Sequence, residues 1–289
     1  MSVLELLIPV DLPLMRLDKY LYRSLPGLPA WQIREAFLRK DVKMDGQRAR
    51  PEDMIQPGAN VLVYGIKNKT APVIDVIYED EQILLVNKPA GISVQADSRG
   101  GATIESLALE HVKSSDSFAW PPKACHRLDN QTCGLLLLAK SARAEELLTK
   151  AFYERAMKKS YICLVKGVPK PLEAVLSAYL VKDAKAARVQ VFDQPASGAL
   201  PITTGYTVIE KGEISRLQVD LITGRTHQIR AHLAHIGHPV LGDDAYGDRV
   251  FNKQMKAKRL MLCSVSLTLS AENELKYLDQ KTFTILPPF

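Results

Sequence analysis

Apolar residues recur at helical spacing twice near the start of the chain, and then strand-like runs take over. The segment RLDKYL, residues 16–21, predicts an amphipathic turn of helix that Pro26-Gly27 ends. In residues 30–40, AWQIREAFLRK, the apolar Ile33, Phe37 and Leu38 lie at helical spacing, leaving Arg34, Arg39 and Lys40 for another surface. DVKMDG, residues 41–46, predicts a short strand closing in an Asp-Gly turn, followed by a turn at Pro57-Gly58 and a strand over 61–64. GIKNKTA, residues 65–71, is polar and aperiodic, as a linker would be. Beyond it, residues 73–77, 83–86, 135–139, 161–165, 188–192 and 217–221 predict strands. The second of these stops at the NKPAG turn, residues 87–91. Helices are predicted over 142–154, with Leu147, Leu148 and Phe152 inward, and over 226–236, stopped by Gly237-His238-Pro239. Strands so outnumber crossover helices that the expected class is α+β, with a mixed, largely antiparallel central sheet flanked by helices. A small α/β domain over residues 1–72 is expected to precede a larger one over 73–289.

Composition narrows the class without naming it. A chain of 289 residues, 46% hydrophobic and 24% charged, is ordinary for a soluble protein of one large domain or two unequal ones. No apolar run approaches the ~20 residues of a membrane-spanning helix. The apolar start contains Glu5, Pro9, Asp11 and Pro13 and has neither a basic leader nor a small-residue cleavage site, so a cytoplasmic location is expected. Cys125, Cys133, Cys163 and Cys263 form no CxxC pair, which argues against a zinc knuckle or a disulfide framework. A formal charge of +6 points to a polyanionic partner, because Lys and Arg that neutralise phosphates release counterions. Arg16, Lys19, Arg23, Arg34, Arg39, Lys40, Lys43, Arg48 and Arg50 concentrate in the first domain, although a solvated helix face also explains such a set.

Three clusters carry candidate chemistry. In His126-Arg127-Leu128-Asp129, a carboxylate ends a loop that enters a buried strand, where a neighbouring Arg keeps it charged. Asp129 is then a candidate nucleophile or base, the alternative being a turn Asp paired with Arg127. In Lys159-Ser160-Tyr161 the tyrosine is either a core aromatic or a phenol able to stack on a base or move a proton. The densest stretch is LITGRTHQIRAHLAHIGHP, residues 221–239, continued by LGDDAYG, residues 241–247. Thr223-Gly224 turns into a helix whose first amides can receive phosphate, and Arg225 and Arg230 supply permanently charged forks. His227, His232, His235 and His238 invite a metal, but their spacing is no known ligand pattern and no cysteine or carboxylate cluster completes a shell.

HRLD, NKPAG, K-x-Y and TGRTHQIRAH…GHPVLGD…YG, in this order, resemble the ribosomal large-subunit type of pseudouridine synthases over roughly residues 73–269. RLDKYL, QIREAFLRK, VKMDG and the closing Pro-Gly turn are similar to the S-four-type RNA-binding domain that often precedes that catalytic domain. The resemblance implies an enzyme that cleaves the uracil–ribose bond, turns the base and rejoins it through carbon, using no cofactor and no metal. It implies Asp129 as the catalytic carboxylate, Tyr161 as the active-site tyrosine and Arg230 as the partner of Asp129. Arg127 matches the residue that helps displace the target base, and His126, Arg225, Lys88 and His227 are expected to bind substrate. The partner would be RNA, ribosomal or transfer, with no membrane and no obligate protein partner. The chain departs from the pattern at Cys133, where Ser is usual, at residues 95–97 (QAD), where His-Pro is usual, and at Pro29-Ala30, where Ser-Arg is usual. The competing readings are an RNA-binding protein that no longer isomerises and an unrelated hydrolase or metalloenzyme built on the histidines.

Overall fold

The computed structural model describes residues 3–25, 28, 30–65, 74–96, 102–113, 120–183 and 188–289. The chain divides into two units, Met1–Ile74 with Ile92–Ser117, and Asp75–Gly91 with Phe118–Phe289. The Pro26-Gly27 turn, nearly all of the 65–71 linker, Pro29, Val73 and Asp97 lie outside the described residues.

The first unit begins with β1 (Val3–Leu7), α1 (Leu17–Ser24), α2 (Ala30–Leu38), β2 (Val42–Met44), β3 (Gln47–Arg48) and β4 (Asn60–Tyr64). Its sheet runs β1-β4-β2-β3. Asp45 and Gly46 both sit at positive φ (49° and 80°), the geometry of a tight hairpin that an Asp-Gly pair tolerates. Leu17, Tyr20 and Leu21 of α1 meet Ile33, Val42, Val61 and Val63 in one core. Leu38 does not join them: it is 83% exposed, while Ala36 is buried. Five residues on from Ile33 at 100° each, Leu38 falls about 140° away from the core stripe. β1 has no counterpart among the predicted strands, since VLELL shows little alternation in sequence; three of its five residues face water as it pairs with β4.

After the first unit come β5 (Val76–Glu79) and β6 (Ile83–Lys88), then α3 (Ile104–Lys113), which groups with the first unit. The second unit continues with β7 (Lys123–Ala124), β8 (Cys133–Ala139), α4 (Ala142–Tyr153), β9 (Lys158–Lys166), β10 (Glu173–Asp183), β11 (Arg188–Phe192), β12 (Leu200–Glu210) and β13 (Ile214–Leu221). It ends with α5 (Gln228–His235), α6 (Arg249–Gln254), β14 (Leu262–Thr268) and β15 (Thr282–Thr284). Eleven strands form one sheet in the order β11-β10-β12-β13-β9-β14-β8-β6-β5, with β15 on β14 and β7 on β8. Among the described strands every pairing is antiparallel except β14 with β8, so the mixed, largely antiparallel sheet expected from the strand count is what forms.

All of β8 is buried, and a strand covered on both faces reads as a continuous apolar run rather than an alternation. Gly134 makes its close approach to β14 possible, because a Cβ there would collide with the Ser264 backbone. Ser141 caps α4 by accepting a hydrogen bond from the Ala144 amide, and Ala144 and Leu148 enter the core against β8. On another part of the sheet, Ala231 of α5 packs with Ala178, Leu180, Val189 and Ile202. The helix predicted from 226 starts at Gln228, because His227 takes a left-handed φ of 55° and so cannot continue it.

Candidate active site

Asp129 lies within the loop between β7 and β8, and the NKPAG turn braces that loop. Asn130 O accepts hydrogen bonds from the Gly91 amide (2.8 Å) and from Lys88 Nζ (2.9 Å), which also donates to Pro89 O. Lys88, expected to bind substrate, is fully buried, does not line the cavity described below, and holds the loop through these bonds. Burial lowers its ammonium to about 8. On the other side of the loop His126 Nε2 accepts from the Leu137 amide at 3.2 Å, and the ring stacks on Phe152 at 4.4 Å. Burial, helped by Lys159, drives this imidazole down to about 3, so it is neutral near pH 7 and gives no cation to a phosphate.

Arg230, on α5, ties two carboxylates together. Its Nη1 donates to Asp129 Oδ2 at 3.2 Å, while Nε and Nη2 form a fork on Asp243 at 2.7 and 2.8 Å. The Arg230 side chain is 5% exposed and that of Asp243 0%, so this fork is a buried, charge-assisted pair. Burial would raise the Asp243 carboxyl. The Arg230 hydrogen bonds and charge outweigh it, with the Tyr246 and Ala245 amides adding, and the group ends below the ordinary carboxylate range. Burial likewise opposes the Arg230 charge, and Asp243 and Asp129 together overcome it. Asp243 is the principal site residue absent from the sequence-based candidates: GDD stands out in the chain, but nothing local says which residue it meets 13 positions back. Gly242 sets the turn before it, where a Cβ would collide with Arg259 O.

The TGRT turn is pinned from within by Gln228. Its Oε1 accepts from Thr223 Oγ1 (2.8 Å) and the Arg225 amide (3.0 Å), and its Nε2 donates to Thr203 O and Thr204 Oγ1 (both 3.0 Å). His227, in its left-handed conformation, puts Nε2 3.9 Å from Asp129 Oδ2 and Nδ1 2.9 Å from Tyr246 Oη. Burial lowers its pKa, against the pull of Asp129. The Tyr246 ring lies under the Arg230 guanidinium at 5.3 Å and its hydroxyl accepts from the Val189 amide, so the tyrosine braces both residues.

Asp129, Tyr161, Arg230, Arg127, His126, Arg225 and His227 all line one cavity of about 700 Å³. Tyr161, from β9, is buried there; burial raises its phenol, Ser264 opposes this, and Asp129 adds to the rise. Arg127 and Arg225 are exposed at the mouth. Lys159, to which the sequence motifs assign no role, closes a wall between Phe152 and Gly224. The histidines disperse: His232 bonds Thr204, His235 bonds Asp193 and His238 donates to Lys166 O. Among the described residues no three His, Cys, Asp or Glu side chains are arranged to hold a metal ion.

The site is thus a carboxylate–arginine–carboxylate floor beneath a cavity of nucleoside scale. A family model described as RNA pseudouridylate synthase matches residues 82–235. "Ribosomal large subunit pseudouridine synthase C" of Salmonella typhi is 31% identical over 286 residues, 92% of this chain and 88% of that one. An "Uncharacterized RNA pseudouridine synthase" of Aquifex aeolicus is 35% identical over 246 residues, 80% of this chain and 77% of its own. "Human RNA Pseudouridylate Synthase Domain Containing 4" shares the fold at a TM-score of 0.61 and 23% identity, covering 74% of this chain and 88% of that one. The chain belongs to the RNA pseudouridylate synthase family.

Proposed function

We propose that this protein isomerises uridine to pseudouridine in structured RNA, with large-subunit ribosomal RNA as its substrate and Asp129 as the catalytic carboxylate. The observation that carries the assignment is the Arg230 bridge, which turns one face of its guanidinium to Asp129 while Asp243 fixes the other. Arg230 is thereby unable to swing away, and Asp129 keeps one direction at the floor of the cavity. A cavity of about 700 Å³ lies within the range of small-molecule sites, enough for a single flipped nucleoside.

In this reading Asp129 acts on the ribosyl–uracil unit as nucleophile or base, while the uracil–ribose nitrogen bond breaks. The freed base turns against buried Tyr161, and carbon replaces nitrogen in the bond to the ribose. Atoms balance within one nucleoside, because the proton that leaves uracil C5 is matched by the one that N1 gains, and no co-substrate is consumed. Arg127 at the mouth displaces the target base from its stack, and Arg225, with the turn amides of TGRT, receives backbone phosphate. Neutral His227 accompanies Asp129, and His126 supports the loop beneath it. Residues 1–72 serve as an S-four-like RNA-binding module for the catalytic residues 73–289, and the location is cytoplasmic. Among the described residues no helix is long and apolar enough to cross a membrane.

The test is to map pseudouridine in total RNA from cells with the gene, without it, and with only the Asp129→Asn form. Sites that vanish in the second and third strains, and return with the wild type, establish both activity and target. Sites in transfer RNA alone would reject the ribosomal assignment, and no change anywhere would reject the activity.

A further inference from the structure

One part of the cavity takes no share in this chemistry. Tyr153, the last residue of α4, borders the cavity and yet is 88% exposed. Its neighbour Phe152 turns inward, stacked on His126 and covered by Lys159 Nζ at 5.4 Å. The helix thus ends by presenting one aromatic to the wall and the next to water. Beyond it Arg155 turns the chain at a left-handed φ of 60°. Residues 150–159, KAFYERAMKK, carry Lys150, Arg155, Lys158 and Lys159 against the single acid Glu154, and Lys150, Arg155 and Lys158 are exposed. Exposed Ile222 and Arg225 also line this cavity.

A scattered surface aromatic needs no explanation. An open phenol ring bordering a reaction cavity, with cations on either side along the chain, has the make-up of a single-strand binding platform, where bases stack and phosphates meet Lys or Arg. Base flipping creates the need for one: once the target leaves the stack, the next base loses a face. Resting on the proposed activity, we infer that Tyr153 is the stacking platform for the unpaired nucleobase next to the target uridine, with Arg155 and Lys158 meeting its phosphate. Such a platform reads the presence and the size of the neighbouring base rather than its hydrogen-bonding edge.

Two measurements test this. In the inactive Asp129→Asn background, adding Tyr153→Ala should weaken binding of a single-stranded oligouridylate of about a dozen nucleotides by about fivefold or more. On a hairpin carrying the mapped uridine, Tyr153→Ala should raise KM by a similar factor with kcat within about twofold, and Tyr153→Trp should restore KM. An abasic residue in place of the neighbouring base should erase the difference between wild type and Tyr153→Ala. Equal oligouridylate binding, or a KM change that persists in full beside the abasic site, overturns the platform. If the wild type isomerises no uridine while Tyr153→Ala still weakens oligouridylate binding, the activity falls and the platform stands.

Discussion

The floor and the mouth of the same cavity are built on opposite principles. At the floor every charge has a partner: Arg230 spans Asp129 and Asp243, Asp243 also accepts two amides, and Gln228 saturates its amide on four groups. At the mouth Arg127, Arg225, Arg155 and Tyr153 face water. A closed, desolvated network fixes direction and suits chemistry on one bond, since its geometry costs nothing to organise at the moment of reaction. An open set of cations and rings adapts to a polymer, and its contribution falls as salt rises. On the proposed function, this contrast assigns reaction type to the floor and choice of RNA to the mouth and the N-terminal residues.

The sharpest way to break this contrast is at Asp129. Asp129→Asn should lower turnover at least about 100-fold while RNA binding and folding stay near wild type, since the isosteric amide is neither nucleophile nor base. Single-turnover assays showing more than about one per cent of wild-type rate would move the chemistry to another residue. Next is the buried fork. Arg230→Ala leaves Asp243 uncompensated and should cost ~3–5 kcal/mol of folding stability besides activity. Asp243→Asn, which keeps shape and loses charge, should cost about 1–3 kcal/mol in urea denaturation and lower kcat more than it raises KM. Full kcat in Asp243→Asn would mean that Arg230 is held well enough by Asp129 alone.

Smaller effects sharpen the comparison through pH and salt. Burial lowers His232 to about 4 and His126 to about 3, so both are neutral in the fold and titrate near 6.5 once unfolded. Their contribution to stability is complete above pH 6.5 and is lost as pH falls toward those folded values. The slope is up to about 1.4 kcal/mol per pH unit for each. The Asp243 carboxyl is depressed as well, so its share is complete above its unfolded 3.8 and is lost only below that. Urea midpoints should thus fall between pH 7 and pH 5, and His232→Asn should flatten that fall. An equal slope in His232→Asn would place the proton uptake elsewhere. In the N-terminal region, replacing exposed Arg34 and Arg48 with Ala should leave kcat alone and weaken RNA binding. The salt slope should fall by about one unit for each phosphate that is no longer neutralised. An unchanged slope would mean that these arginines are only a solvated face.

What could be read from the chain follows from where its signals are local. The Asp45-Gly46 hairpin, the LLLLA strand and the capped α4 each depend on a few adjacent residues, and each forms within a residue or two of its expected place. β10 and β12 did not show themselves, because their eleven-residue runs mix buried, half-buried and exposed positions without one unbroken alternation; they pair with each other and with β11 and β13. The left-handed turn at His227 was equally hidden, since its strain is carried by contacts from distant residues.

By itself the sequence determined the class of fold, the motif order that marks the family, and the residues Asp129, Tyr161 and Arg230 that meet at one cavity. The motifs already paired Arg230 with Asp129, as the structure does, and only the tertiary structure decided what else surrounds those residues. Lys88 proved to be a buried clamp on the Asp129 loop, His126 a neutral stacked ring, and Asp243 the anchor of Arg230. The physical reason is that burial and pairing belong to neighbours across the sheet: Asp129 and Arg230 lie 101 residues apart in the chain, and no local pattern states the dielectric or the charge that each will meet there.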